Sequence, residues 1–316
     1  MRRRHLPALL ALPAIAQPSR PVTLIVGAPP GGTADALGRL VARGLSEEWA
    51  GATVVVENRG TAGGQLAAET AARAAPDGRT LLLANTNVLA INHALNPRQP
   101  YETLRDFGFV GLVANWPLVL AVRPDLGVTD VAALIARARA EPGRLNGASA
   151  GNGTAMHMAL ALFNRLAGTE IVHVPYRGSG PAMNDMLAGQ GVQMIFEPTA
   201  TLLGPINAGL LRGLAVASAR RATALPALPT LAEAGLTDYL VTQYHGIVVP
   251  AATPAPLLAS LNATLNRAMA RPDIRERLMV LGAEPAATTP AEFEAFIREE
   301  IPRWANLVRL SGAQVD

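Results

Sequence analysis

Two glycine-rich turns hold most of the residues whose types and spacing could do chemistry. They are Gly27-Ala-Pro-Pro-Gly-Gly-Thr33 and Ala148-Ser-Ala-Gly-Asn-Gly-Thr154. Each follows an apolar, strand-like run and leads into an amphipathic stretch. A strand that breaks on glycines and enters a helix leaves the first helical N–H groups unpaired and aimed at one place. Those donors, with the positive end of the helix dipole, seat an anion without a charged side chain. Two such seats far apart in sequence point to one small anion held between two halves of a protein. The plainer alternative is a pair of ordinary βα turns in which glycine only permits a tight bend.

A second chemistry is open at the same place. Gly147-Ala-Ser149-Ala-Gly151 matches the G-x-S-x-G elbow of α/β serine hydrolases, and Asp185 and His245 follow in the order acid, then base. Against a Ser149–Asp185–His245 triad, a strand and three helices are expected after His245, where such enzymes place the His behind the last strand. Gly27-x-x-x-x-Gly32-Thr33 has P-loop spacing but lacks the lysine that meets the β/γ-phosphates. His5, His93, His157, His173 and His245 show no metal-ligand spacing, and with no cysteine in the chain neither a metal nor a cofactor is expected. His157, one turn into the second helix, reads as a ligand contact or as a hydrogen-bonded packing residue. Glu197, at the end of a strand, either reaches a cleft or is a solvated carboxylate. Tyr176 and Arg177 share another strand end, where α/β sheets collect ligands, although a rim salt bridge also accounts for Arg177.

The elements that must position these residues are legible in the hydrophobic pattern. After the first turn, Leu37, Leu40, Val41, Leu45 and Trp49 recur at helical spacing; after the second, Met156, Ala159, Leu160 and Phe163 do. Strands are expected at residues 22–26, 53–56, 80–84, 118–122, 145–148, 171–174, 192–196, 213–217 and 247–249. Helical patterns alternate with them, which implies α/β layers with mainly parallel sheets. Three closing helices, 254–270, 273–281 and 290–311, have apolar faces but no strands of their own, so they are expected to cover the first lobe. The chain then crosses between lobes twice, near residues 114–117 and 237–245, and can close like a hinge.

The first residues read as an export signal: Arg2, Arg3 and Arg4, an apolar run from Leu6, and Ala14-Ile-Ala16 as a small-residue cleavage site. The run is too short to span a bilayer, and the mature protein is expected to be soluble. The chain has 27 basic and 24 acidic residues, a net charge of +3, and a pI of about 9.9. Removing residues 1–16 deletes three arginines and no acid, leaving 24 against 24. The basic pI therefore belongs to the leader and is no argument for nucleic acid. Half the residues are apolar, enough for two cores in about 300 residues.

Many spaced blocks in one order resemble the extracytoplasmic solute receptors of tripartite tricarboxylate transporters, the Bug-type receptors. They include Pro21-Val-Thr-Leu-Ile-Val26 with Pro29-Pro-Gly-Gly-Thr33 and Asp35; Val56-Glu-Asn-Arg59; and Ala75-Pro-Asp-Gly78. Asn146 with the second glycine turn, Val172-His-Val-Pro-Tyr176, Glu233-Ala-Gly235 and Leu281-Gly-Ala-Glu-Pro285 continue the match. The resemblance implies a type II periplasmic-binding-protein fold, two α/β lobes with two hinge crossovers and a ligand cleft between them. Residues 17–115 with 240–316 would form one lobe and 116–239 the other. It implies a monomeric periplasmic receptor, its leader cleaved near Ala16, that captures a small mono- or dicarboxylate and delivers it to membrane permease subunits. The implied ligand residues are Pro30, Gly31, Gly32, Thr33, Asp35, Asn85, Thr86, Ser149, Ala150, Gly151, Asn152, Gly153, Thr154, His157, Tyr176 and Glu197. The chain departs from the family at Gly27-Ala28, at Glu197 and at Tyr244-His245-Gly246, so the ligand of a relative does not transfer directly.

Overall fold

A computed structural model describes residues 21–50, 52–60, 64–96 and 98–313. The expected leader, 1–16, lies outside them. Strand β1 (Val22–Val26) is followed by α1 (Thr33–Glu48), β2 (Val54–Asn58), α2 (Gln65–Ala72) and β3 (Thr80–Asn85). The three strands pair in parallel in the order β2–β1–β3. In β1, Val22, Leu24 and Val26 enter one core and Ile25 the opposite one. Such alternation with both faces apolar is what a sheet covered on both sides requires. After β3 come a π turn (Asn87–Ile91), α3 (Asn92–Leu95) and α4 (Thr103–Asp106).

The sixteen-residue strand β4 (Phe107–Val122) belongs to two sheets. Its second half sends Leu118, Leu120 and Val122 to one face and Val119 and Ala121 to the other. The chain continues through α5 (Val131–Ala140), β5 (Asn146–Ser149), α6 (Ala155–Ala167), β6 (Val172–Pro175), α7 (Ser179–Ala188), β7 (Met194–Pro198), α8 (Thr199–Asn207) and β8 (Arg212–Val216). Around the second half of β4 these strands form the second sheet, with β7 and β8 on either side and β5 and β6 beyond β7. Then β9 (Thr242–Pro250) returns to the first sheet between β3 and β4. The fold is thus two α/β lobes joined by two crossovers. In one, β4 leaves β9 after Pro117 and meets β7 at Leu118; in the other, Val241 still bonds Ala217 while Thr242 pairs with Pro117. Pairing differs from the mainly parallel expectation, since β4 and β9 run antiparallel to their neighbours. One strand carries the chain out of the first lobe and the other brings it back, so they run in opposite senses.

The closing helices are α9 (Ala255–Ala270), α10 (Pro272–Val280) and, after the short β10 (Glu284–Pro285), α11 (Pro290–Ser311). Leu261, Leu265 and Met269 of α9 pack with Leu37, Val41 and Leu45 of α1 on the first sheet. Helix α11 opens with a capping box in which Thr289 and Glu292 exchange hydrogen bonds. It does not stay on the first lobe as the sequence led us to expect. Phe293 and Ile297 join a first-lobe core, whereas Trp304, Leu307 and Val308 join the second-lobe core with Met158, Leu162 and Phe163. Pro302, which cannot donate to the preceding turn, lies between the two halves. Among the described residues no helix is long and apolar enough to cross a membrane.

Candidate functional site

The first glycine turn is held from behind by Asp35. Its Oδ2 accepts from Gly31 N–H and Arg39 Nε, both at 3.0 Å, and its Oδ1 accepts from Asn58 Nδ2 at 3.0 Å. Asn58 also donates to Ala28 O at 3.1 Å, which ties the turn to β2. The Arg39 bond first, then the Gly31 N–H, hold the Asp35 carboxyl down at about 2. Gly60 packs so closely under the turn that a β-carbon there would lie 2.4 Å from Pro29 N. No side chain caps α1, so its first amides, Thr33 and Ala34, stay unpaired.

The second turn is also braced from behind. Ser149 is fully buried; its Oγ bonds His173 Nε2 at 2.6 Å and accepts from Gly151 N–H at 3.1 Å. Thr154 caps α6 by accepting from His157 N–H and donates to Gly151 O at 2.8 Å. His157 Nδ1 accepts from Gly153 N–H at 3.3 Å, and its ring stacks on His173 with centroids 3.7 Å apart. Burial and the His157 neighbour push His173 down to about 4. The pair is therefore neutral at pH 7. Tyr176 turns its phenol away to donate to Asp185 at 2.8 Å. Asn152 is exposed at the tip of the turn and Arg177 is exposed beyond it.

Between the lobes lies a cavity of about 340 Å³, within the range of small-molecule sites. Gly32, Thr33 and Ala34 line it from the start of α1, and Asn85, Thr86 and Asn87 from the end of β3. Met156 comes from the first turn of α6, Ser179 from the start of α7, and Pro198 and Thr201 from the start of α8. Trp116, Gln243 and His245 of the crossing strands complete it. Thr86 is fixed to β9 because its Oγ1 accepts from Tyr244 N–H at 2.8 Å. His245 packs edge-on against Trp116, with centroids 4.8 Å apart. Its Nδ1 has no partner, and burial pushes it down to about 4, so it too is neutral.

The helices α1, α7 and α8 all begin at this cavity, and none has a side-chain N-cap. Each contributes unpaired N–H groups and about half a positive charge at its start. No arginine lines the cavity, and among the described residues no three His, Asp or Glu gather to hold a metal. The chemistry on offer is recognition of an anion by amides and hydroxyls.

Of the residues expected at the site, the cavity brings together Gly32, Thr33, Asn85 and Thr86. Pro30, Gly31, Asp35, Ser149, Ala150, Gly151, Asn152, Gly153, Thr154, His157, Tyr176 and Glu197 do not line it. Ala34, Asn87, Trp116, Met156, Ser179, Pro198, Thr201 and Gln243 were not expected there. Thr201 follows a strand end that runs straight into a helix without a glycine run, whereas Ser179 sits between Gly178 and Gly180 after a strand end, a readable signal of the same kind as the other two turns. The hydrolase triad is not assembled: Ser149 is bonded to His173, Asp185 to Tyr176, and His245 packs edge-on against Trp116. Gly147 has a packing reason, since a β-carbon there would lie 2.8 Å from Leu160 of α6.

Comparison with known proteins agrees with this geometry. The model of the tripartite tricarboxylate transporter family receptors matches residues 37–312. The chain belongs to this family. It is 38% identical to Protein BugT of Bordetella pertussis over 299 residues, 94% of this chain and 91% of that one. A structure of R. palustris Rpa4515 with adipate superposes with a TM-score of 0.85 at 34% identity, covering 95% of this chain and all of that one. The periplasmic binding protein BugD superposes at 0.80 with 31% identity over 94% and 99% of the two chains. The family is one of solute-binding receptors, and this receptor is not an enzyme.

Proposed function

We propose that this receptor captures a small mono- or dicarboxylate in the cavity between its lobes and hands it to membrane permease subunits. The observation that supports this reading is the convergence of three uncapped helix N-termini on a cavity with no cationic side chain. A carboxylate there accepts from the amides that open α1, α7 and α8, with Thr33, Ser179 and Thr201 supplying hydroxyls. The relative solved with adipate supports the ligand class. In this reading residues 17–115 with 240–316 form one lobe and 116–239 the other, with α11 reaching across. The protein works as a periplasmic monomer after cleavage near Ala16. A melting-temperature screen of dicarboxylates, aromatic acids, amino acids, sugars and cations tests it. A ligand at about 100 times its dissociation constant adds about 2.7 kcal/mol, so organic acids are expected to raise the melting temperature. Stabilisation by sugars or cations alone would refute the anion seat.

A further inference from the structure

Glu197 is left over by this account. Strand alternation in β7 sends Phe196 into the core shared with α6 and turns Glu197 to the opposite face, that of Ile195, covered by α7 and α8. The side chain is completely buried, and neither carboxyl oxygen makes a hydrogen bond of good geometry. The polar groups beside it are the hydroxyls of Ser179 and Thr201, which line the cavity while Glu197 does not. The carboxyl thus lies beside two of the hydroxyl-bearing residues that line the cavity.

A hydroxyl has one hydrogen to donate, and an ionised carboxylate can only accept. An ionised Glu197 draws the hydrogens of Ser179 and Thr201 toward itself, and both hydroxyls then show lone pairs to the cavity. A protonated Glu197 donates its own hydrogen to one of them and leaves their hydrogens for the ligand. A carboxylate ligand can only accept, and a second negative charge behind the hydroxyls repels it. We propose that Glu197 sets the donor sense of Ser179 and Thr201, so that a carboxylate is captured together with one proton held on Glu197.

The inference rests on the carboxylate reading of the cavity. Burial pushes the Glu197 carboxyl up to about 7, while the neighbouring hydroxyls of Ser179 and Thr201 pull the other way. Its proton is therefore exchangeable near neutral pH. No other group nearby competes for this titration. Helix α8 and residues 115–122 of β4 contain no ionisable side chain, and neither does β5. On α7 the ionisable group is Asp185, bonded to Tyr176; on β8 it is Arg212, bonded to Val128 O. On β9, Tyr244 is raised by burial and His245 is lowered to about 4.

The sign follows from linkage. The bound state favours protonated Glu197, so affinity is full below the free-state value and falls by up to about tenfold per pH unit above it. The test titrates succinate, malate, adipate and benzoate by calorimetry between about pH 6.5 and 9, where the ligands are almost fully ionised, in two buffers of different ionisation enthalpy. The tightest binder is expected to carry up to about one proton into the complex and to weaken toward alkaline pH. Glu197→Gln, which mimics the protonated acid, is expected to bind with no proton uptake and no pH slope. A wild-type affinity that is flat with pH and without proton uptake overturns the inference, as does an unchanged slope in Glu197→Gln. If that variant does not fold, the proton count of the wild type decides. If none of the four acids binds at any pH, the carboxylate reading itself fails and this inference with it.

Discussion

Asp35, Ser149 and His157, which look like ligand contacts in the sequence, brace the two glycine turns. Asp35 accepts three hydrogen bonds that fix the first turn, and none of them points into the cavity. Asp35→Asn keeps the shape but replaces one acceptor with a donor facing donors. It is expected to cost about 1–3 kcal/mol at pH 7 in urea unfolding. Arg39 is 59% exposed along its side chain, so its share of that cost is small. The Asp35 carboxyl titrates lower in the folded protein than in the unfolded chain. Its contribution is therefore complete above about pH 4 and is lost as pH falls through about 2. The stability gap between wild type and Asp35→Asn should close over that window. An unchanged gap at acid pH would count against the brace. Types and spacing announced that Asp35, Ser149 and His157 belong to the turns. They could not announce which side of the turn each serves, because a brace and a ligand contact use the same polar groups.

At the scale of elements, the two glycine turns differ in what their glycines are for. Gly153 has φ +72°, and a β-carbon there would lie 2.5 Å from Leu95 Cδ1. Gly32 has an ordinary φ of −86°, and its β-carbon would meet only Pro29 O at 3.9 Å. The sequence treats the two as equals, both kept for backbone geometry or close approach; in the structure the geometric demand falls on Gly153 and on Gly31, at φ +86°. Gly153→Val is expected to lose about 2 kcal/mol or more of stability through strain and overpacking. Gly32→Ala should stay within about 0.5 kcal/mol of wild type and lower only ligand affinity. Paired urea unfolding and calorimetry separate the two; equal destabilisation would show that the turns are alike after all.

The elements themselves were largely readable. The run Val22–Val26 and the α11 span Pro290–Ser311 stand where periodicity puts them. The first half of β4 was not readable, because Gly108, Gly111 and Pro117 interrupt it and its register shifts twice against β9. Those residues read as breakers in isolation, yet the strand persists because it has partners along its whole length.

Across the whole molecule, three segments pass between the lobes: β4, β9 and α11. The two strands supply hydrogen-bonded continuity, and the helix supplies side chains to both cores. Trp304 is fully buried, and its Nε1 donates to Glu300 at 2.8 Å. Trp304→Ala is expected to cost about 3–5 kcal/mol although it is remote from the cavity. Because the helix couples the cores, the wild type should unfold in one transition, followed by both fluorescence and far-UV circular dichroism. Two separated transitions in the wild type would mean that the lobes are independent.

The same helix imposes an order in time. Residues 118–241 supply every strand of the second sheet, but that lobe's core is closed by Trp304, Leu307 and Val308. While the chain is being made, the second lobe has its whole backbone framework long before the side chains that seal it arrive. A ribosome-bound or prematurely ended chain therefore leaves uncovered the face of α6 that packs on α11. Residues 304–308, made after the whole second sheet, decide when the middle of the protein becomes safe from aggregation.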